Sequence, residues 1–184
     1  MDHYIEFKLQ PDPESSKSFL TNTLISKLHR TLSDLKATDI GVSFPNANNF
    51  ALCGTVRLHS TKTRLGELMA IDWLGGMKGY CTISEIQQVP TNCKHRTVGR
   101  LQPKMSKSKL NRLIKRGSIS DTEASAYRRR QQDVKLDKPF IQLTSLSNKN
   151  IYRRYITLGE LLEYPEQGEF DQFGLSKEAT VPWF

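Results

Sequence analysis

The chain is poor in the features that mark secreted, membrane-spanning or metal-centred proteins. It has only three cysteines, Cys53, Cys81 and Cys93, odd in number and far apart. That excludes a disulfide framework and fits a reduced, cytoplasmic setting. There is no run of about 18 apolar residues, so no transmembrane helix is expected. The opening MDHYIEFKLQ has no apolar core of the secretory type, so no leader is expected. The patterns GxxxxGK[ST], GxGxxG, HExxH and CxxC are all missing. The four histidines, His3, His29, His59 and His95, are not spaced as local metal ligands. Neither a metal nor a cofactor is therefore expected. The glycine- and aromatic-rich strand of an RNA-recognition motif is missing too.

What is present is charge of one sign in one place. The 184 residues carry 27 Lys and Arg against 19 Asp and Glu, a net of +8. Residues 94–138 hold 14 of those basic residues and four acids, a local net of +10. The rest of the chain, with 13 basic and 15 acidic residues, is slightly negative. Such an internal block implies a polyanionic partner. Within it, the spacing predicts a helix with divided faces. At about 100° per residue, Leu110, Leu113 and Ile114 share one side, and Lys109, Arg112, Lys115 and Arg116 the other. Ser106 or Ser108 can cap its start, and Gly117 can end it. Ser120-Asp121-Thr122-Glu123 reads as a capping box opening a second helix through Arg128-Arg129-Arg130. A membrane-docking helix would carry Trp or Phe on its apolar face. This face is aliphatic, so nucleic acid is the expected partner and a membrane is not.

The remaining pattern predicts an α+β protein. His3, Ile5, Phe7 and Leu9 alternate as a half-buried strand. Leu20, Leu24, Ile25, Leu28, Leu32 and Leu35 form a helical stripe over residues 16–36. Strands are predicted at 40–44, 52–58 and 80–89, with a helix from Ser60 towards Trp73. The order β-α-β-β-α-β predicts a ferredoxin-like domain over residues 1–92. Residues 93–184 form a second, partly ferredoxin-like domain: a strand near 98–102, the two basic helices, strands at 140–144 and 151–156, and a segment ending at Phe184. His29 stands at the edge of the first helix's apolar stripe, where an imidazole could exchange a proton near neutrality. By itself that position is equally a structural one, and Ser145 and Ser147 are ordinary turn residues.

Several short matches, in order and spanning nearly the whole chain, point further. They are Met1-Asp2-His3-Tyr4, Pro11-Asp12-Pro13-Glu14, Lys27-Leu28-His29, Ile40-Gly41-Val42-Ser43-Phe44-Pro45, Arg100-x-Gln102, the basic helix, Pro139-Phe140, Gly174-Leu175-Ser176-Lys177 and Val181-Pro182-Trp183-Phe184. With these the chain resembles the CRISPR repeat-processing endoribonucleases of type I-F systems, the Csy branch of the Cas-six nucleases.

The resemblance implies a metal-independent endoribonuclease that binds the stem-loop of CRISPR repeat RNA. It implies one cut at the 3′ base of the stem, by attack of the upstream 2′-hydroxyl, leaving a 2′,3′-cyclic phosphate. It also implies that the enzyme stays on its product as a subunit of the crRNA surveillance complex, in the cytoplasm. By the same resemblance His29 is the general base. Ser145 aligns the ribose, with Ser147 a second candidate. Arg112 and Arg116, with Lys115 where another arginine is usual, line the hairpin's groove, and Lys109 on the same helix side joins them; Arg100 and Gln102 read base edges, and Tyr152 packs near the stem-loop boundary. Phe173 stands where the family carries an active-site tyrosine; it keeps the packing and lacks the hydroxyl. The alternative is a hairpin-binding subunit that has lost catalysis.

Overall fold

The computed structural model describes residues 1–101, 107–133, 138–144 and 150–184, with backbone only for 107, 108 and 130–133. Contacts divide the chain into two compact units, Met1–Leu101 with Lys138–Phe184, and Gln102–Asp137.

The larger unit begins with strand β1 (His3–Leu9), whose Ile5, Phe7 and Leu9 point into the core. Helix α1 (Lys17–Asp34) follows, and the Ser16 side chain caps it by accepting from Phe19 N–H. Its stripe Leu20, Leu24, Ile25, Leu28 and Leu32 is fully buried. Each such side chain contributes about 1.5–3 kcal/mol through burial, which fixes the helix against the sheet. Next come β2 (Gly41–Ser43), β3 (Thr55–Ser60) and α2 (Lys62–Ala70). A 3₁₀ turn at Gly75–Tyr80 leads to β4 (Cys81–Ile83) and β5 (Gln87–Gln88). The antiparallel order is β2-β3-β1-β4, with β5 also on β1. That is the ferredoxin-like arrangement expected for this half.

Local details differ from the sequence pattern. Thr61, not Ser60, caps α2, and the helix ends at Ala70, short of Trp73. Ser60 instead ends β3, where its hydroxyl donates to the Asp39 carbonyl. The predicted strand at 80–89 is two short strands: Ser84 N–H still donates to Glu6 C=O, but the Ser84 hydroxyl, not a backbone carbonyl, accepts from Glu6 N–H.

A second sheet is built from β6 (Lys94–Leu101), β7 (Phe140–Thr144), β8 (Ile151–Leu158) and β9 (Thr180–Trp183). Its order, β7-β8-β6-β9, repeats that of the first sheet. No helix lies between β8 and β9, so the second half is only partly ferredoxin-like. Strand β6 is longer than its apolar residues suggest. Its first half pairs with β9 and its second half with β8. The two sheets share one core, which takes Val98, Ile141, Leu143, Ile156 and Val181 from the second.

The smaller unit contains α3 (Lys107–Lys115) and α4 (Asp121–Asp133), which pack on each other. Gly117 ends α3 at φ +63°, with its N–H on Ile114 C=O and Ser118 N–H on Leu113 C=O. The capping box forms as expected. Ser120 N–H donates to the Glu123 carboxylate, and Glu123 N–H donates to Ser120 Oγ.

Candidate active site

His29 lies in the last third of α1, half-buried. Leu28, one residue earlier, is fully buried, so the backbone cannot turn His29 away without exposing the stripe. The imidazole is held from two sides. Its Nδ1 is 2.9 Å from the carbonyl of Gln172. A carbonyl only accepts, so Nδ1 carries the hydrogen. In the neutral ring Nε2 is then left as the acceptor, the form a general base needs. The ring also stacks on Phe173, with centroids 3.6 Å apart and planes 12° off parallel.

Gln172 and Phe173 belong to a tight turn. Asp171 C=O accepts from Gly174 N–H, and Asp171 N–H donates to Leu175 C=O, each at 2.8 Å. The Asp171 carboxylate accepts from the backbone N–H of Phe173 at 2.8 Å and of Leu175 at 3.0 Å. Gly174 adopts φ +69°, and its carbonyl accepts from Val42 N–H at 2.8 Å. A Cβ at Gly174 would collide with Val42 Cγ2 and meet the Ile40 carbonyl at 3.1 Å. The residue is therefore required to be glycine both by conformation and by space.

Behind the turn stands β8. Arg154 places its guanidinium 3.6 Å from the Phe173 ring centre and 3.3 Å from the Asp171 carboxylate. Burial, and then the charge of Arg100, push Arg154 below the ordinary arginine value, while Asp171 and Tyr152 oppose this. Arg100 on β6 is exposed and pairs with Ile156, two residues along from Arg154. Tyr152 is two-fifths exposed and lies two residues before Arg154. With a side-chain period of two, Arg100, Tyr152 and Arg154 share one face of the second sheet.

Strand β7 runs up to Thr144, the residue before Ser145. It is tied to α1 by Gln142 N–H donating to Asn22 Oδ1 at 2.9 Å. Between them lies a groove of about 430 Å³, bordered by Ser26, Lys27, Arg30, Gln142 and Thr144. Ser145, Ser147, Gln102 and the cap candidate Ser106 lie outside the described residues, as does the side chain of Ser108.

In the smaller unit Arg112, Lys115 and Arg116 are exposed, as is Lys109. Leu110 is buried and Leu113 half-buried, but Ile114 remains 41% exposed, so the apolar side is narrower than its spacing suggested. Among the described residues no helix is long and apolar enough to cross a membrane.

The structure thus brings His29 and Phe173 together, and Arg100 and Tyr152 onto one sheet face. Arg154 and Asp171 escaped the sequence reading. An Asp three residues before a Gly is a turn signal that could have singled out Asp171. An arginine in a strand gives no such signal.

Comparison with known proteins identifies the family. The family described as CRISPR-associated protein (Cas_Csy4) matches residues 4–184. A protein of Escherichia coli (strain UTI89 / UPEC), named CRISPR-associated endonuclease Cas6/Csy4, is 39% identical over the full length of both chains. One of the same name from Pseudomonas aeruginosa (strain UCBPP-PA14) is 37% identical, again over the full length of both. A solved structure described as CRISPR endoribonuclease Cse3 bound to 19 nt RNA aligns over 99% of this chain and 100% of its own. Its identity is 16% and its TM-score 0.39. Matched end to end by the family and by two relatives well above 30% identity, the chain belongs to the Cas6/Csy4 family of CRISPR-associated endonucleases.

Proposed function

We propose that the chain is a metal-independent endoribonuclease that binds the stem-loop of a CRISPR repeat transcript and cuts it once, at the 3′ base of the stem. The observation that carries this reading is the His29 imidazole, with Nδ1–H on a backbone carbonyl and its face on Phe173. His29 Nε2 takes the proton of the upstream ribose 2′-hydroxyl. The freed oxygen attacks the adjacent phosphorus, and the P–O5′ bond breaks. The products are a 2′,3′-cyclic phosphate and a 5′-hydroxyl; the leaving oxygen takes a proton from solvent water, and His29 returns its own to solvent. Because RNA supplies the nucleophile, alignment and proton transfer carry the protein's share of the work. Ser145, with Ser147 as the second candidate, aligns the ribose.

Binding falls to other residues. Lys109, Arg112, Lys115 and Arg116 give α3 a basic side that suits phosphates flanking a groove opened at a hairpin end. Arg100 suits the O6 and N7 edge of guanine, Gln102 an adenine edge, and Tyr152 base packing near the stem-loop boundary. On this reading residues 1–92 are the half with the catalytic histidine and residues 93–184 the RNA-binding half. On this reading the protein works in the cytoplasm and stays on its product within the crRNA surveillance complex.

The test separates the two roles. His29→Ala should bind the cognate hairpin within about twofold of the native protein and lose about 10²–10⁴-fold in single-turnover rate. Arg112→Ala with Arg116→Ala should do the opposite, weakening affinity and flattening its salt dependence. Normal cutting by His29→Ala sinks the general-base role.

A further inference from the structure

Arg154 has no part in the reading above, yet it stands directly behind the imidazole. Its guanidinium and the His29 ring both lie 3.6 Å from the centre of Phe173. Two groups that close to one ring centre cannot share a face, so Phe173 is sandwiched between them. The Arg154 side chain is only 11% exposed. Its Nε is buried with no hydrogen-bond partner among the described residues. Burying a charge on a strand is costly, and an apolar side chain would fill that volume at lower cost. The cost is offset only if the cation does something at that place.

Its contacts say what. Asp171 binds Arg154 through one carboxylate oxygen and the backbone of Phe173 and Leu175 through the other. Arg154 thereby joins β8 to the turn that holds His29. Strand β8 pairs with β7 from Thr144↔Ile151 onward, and Ser145 follows β7 directly. The clamp therefore links the imidazole to the paired strands β7 and β8.

We infer that Arg154, clamped by Asp171, is a positioning residue that presses Phe173 flat against His29 and fixes the imidazole relative to the paired strands β7 and β8. This rests on reading His29 as the general base. It also accounts for a phenyl ring without a hydroxyl at position 173: the ring is held through its face by a cation, which needs no hydroxyl.

The test uses Arg154→Met, which keeps the stem and removes the cation, and Arg154→Lys, which keeps charge without the planar face. The first readout is the His29 ring resonance in RNA-free protein, assigned by its loss in His29→Ala. The stacked Phe173 should shift it upfield, and Arg154→Met should move it back towards that of an exposed histidine. The second readout compares rate with affinity. Arg154→Met should lose about 10–100-fold in single-turnover cleavage, on the scale expected for a misplaced catalytic group. Affinity for a hairpin with a deoxyribose at the cut should stay within about twofold, and Arg154→Lys should recover part of the rate. Should Arg154→Met fail to fold, Asp171→Asn, which turns an amide towards the guanidinium, is read the same way. An unmoved His29 resonance overturns the inference, and so does a loss lying wholly in affinity, which would make Arg154 a phosphate contact. A resonance that moves as expected while the native protein cuts nothing upholds the clamp and sinks the general-base reading instead.

Discussion

His29 and His59 each make one hydrogen bond through a ring nitrogen, and each lies near aromatic side chains. Their surroundings otherwise differ. His59, on β3, is fully buried, and its Nε2 is 2.8 Å from Ser43 Oγ. Burial, and then the nearby Arg57 charge, push its pKa down to about 3. It is a neutral core residue, with Tyr4 and Phe184 as further ring neighbours. His29 is only half-buried, bonded to a backbone carbonyl that fixes its tautomer and stacked on a clamped ring. A general base must reach the proton it removes. One histidine is sealed into the core by its environment, while the other is held still at its edge.

The widest separation between these two sites comes from Gly174, behind His29. Gly174→Ala forces an L side chain to φ +69° and against the Ile40 and Val42 backbone. The expected loss is about 2–5 kcal/mol, read by urea unfolding. Gly117→Ala, at φ +63° in open space, should cost only about 1 kcal/mol. Equal losses at the two glycines would show that the turn under His29 is not tightly seated.

A smaller effect sharpens the role of His59. Its folded-state pKa is lowered, so below about pH 6.5 the unfolded chain takes up a proton that the native state refuses. Stability present above that pH is lost as pH falls towards 3, at up to about 1.4 kcal/mol per pH unit. His59→Gln should be less stable at neutral pH, with a shallower decline in acid. Unfolding measured from neutral pH to about pH 4 reads the difference, and parallel curves would show that His59 titrates normally.

The first sheet and α1 were legible because their signals are local. Ser16 caps, and Leu20 to Leu32 keep one stripe. Strand β6 was harder to read, because two neighbours pair with its basic first half and its apolar second half. Pairing across the sheet overrode a weak local pattern. At the candidate site, His29 stood out by residue type and position, but a stripe-edge position is equally a structural one, and only the resemblance singled it out as a base. The contact with Gln172, 143 positions away, and the Arg154–Phe173 face are products of the fold alone. Periodicity does not report which arginine of a strand turns inward.

In the proposed reaction the RNA's own 2′-hydroxyl is the nucleophile and His29 only takes its proton. The most direct measurement incubates native protein, in chelator, with two cognate hairpins that differ by a single deoxyribose immediately upstream of the cut. Equal binding is expected, with complete cleavage of the all-ribose hairpin to a 2′,3′-cyclic phosphate and no product from the other. Product from the deoxyribose hairpin would contradict it.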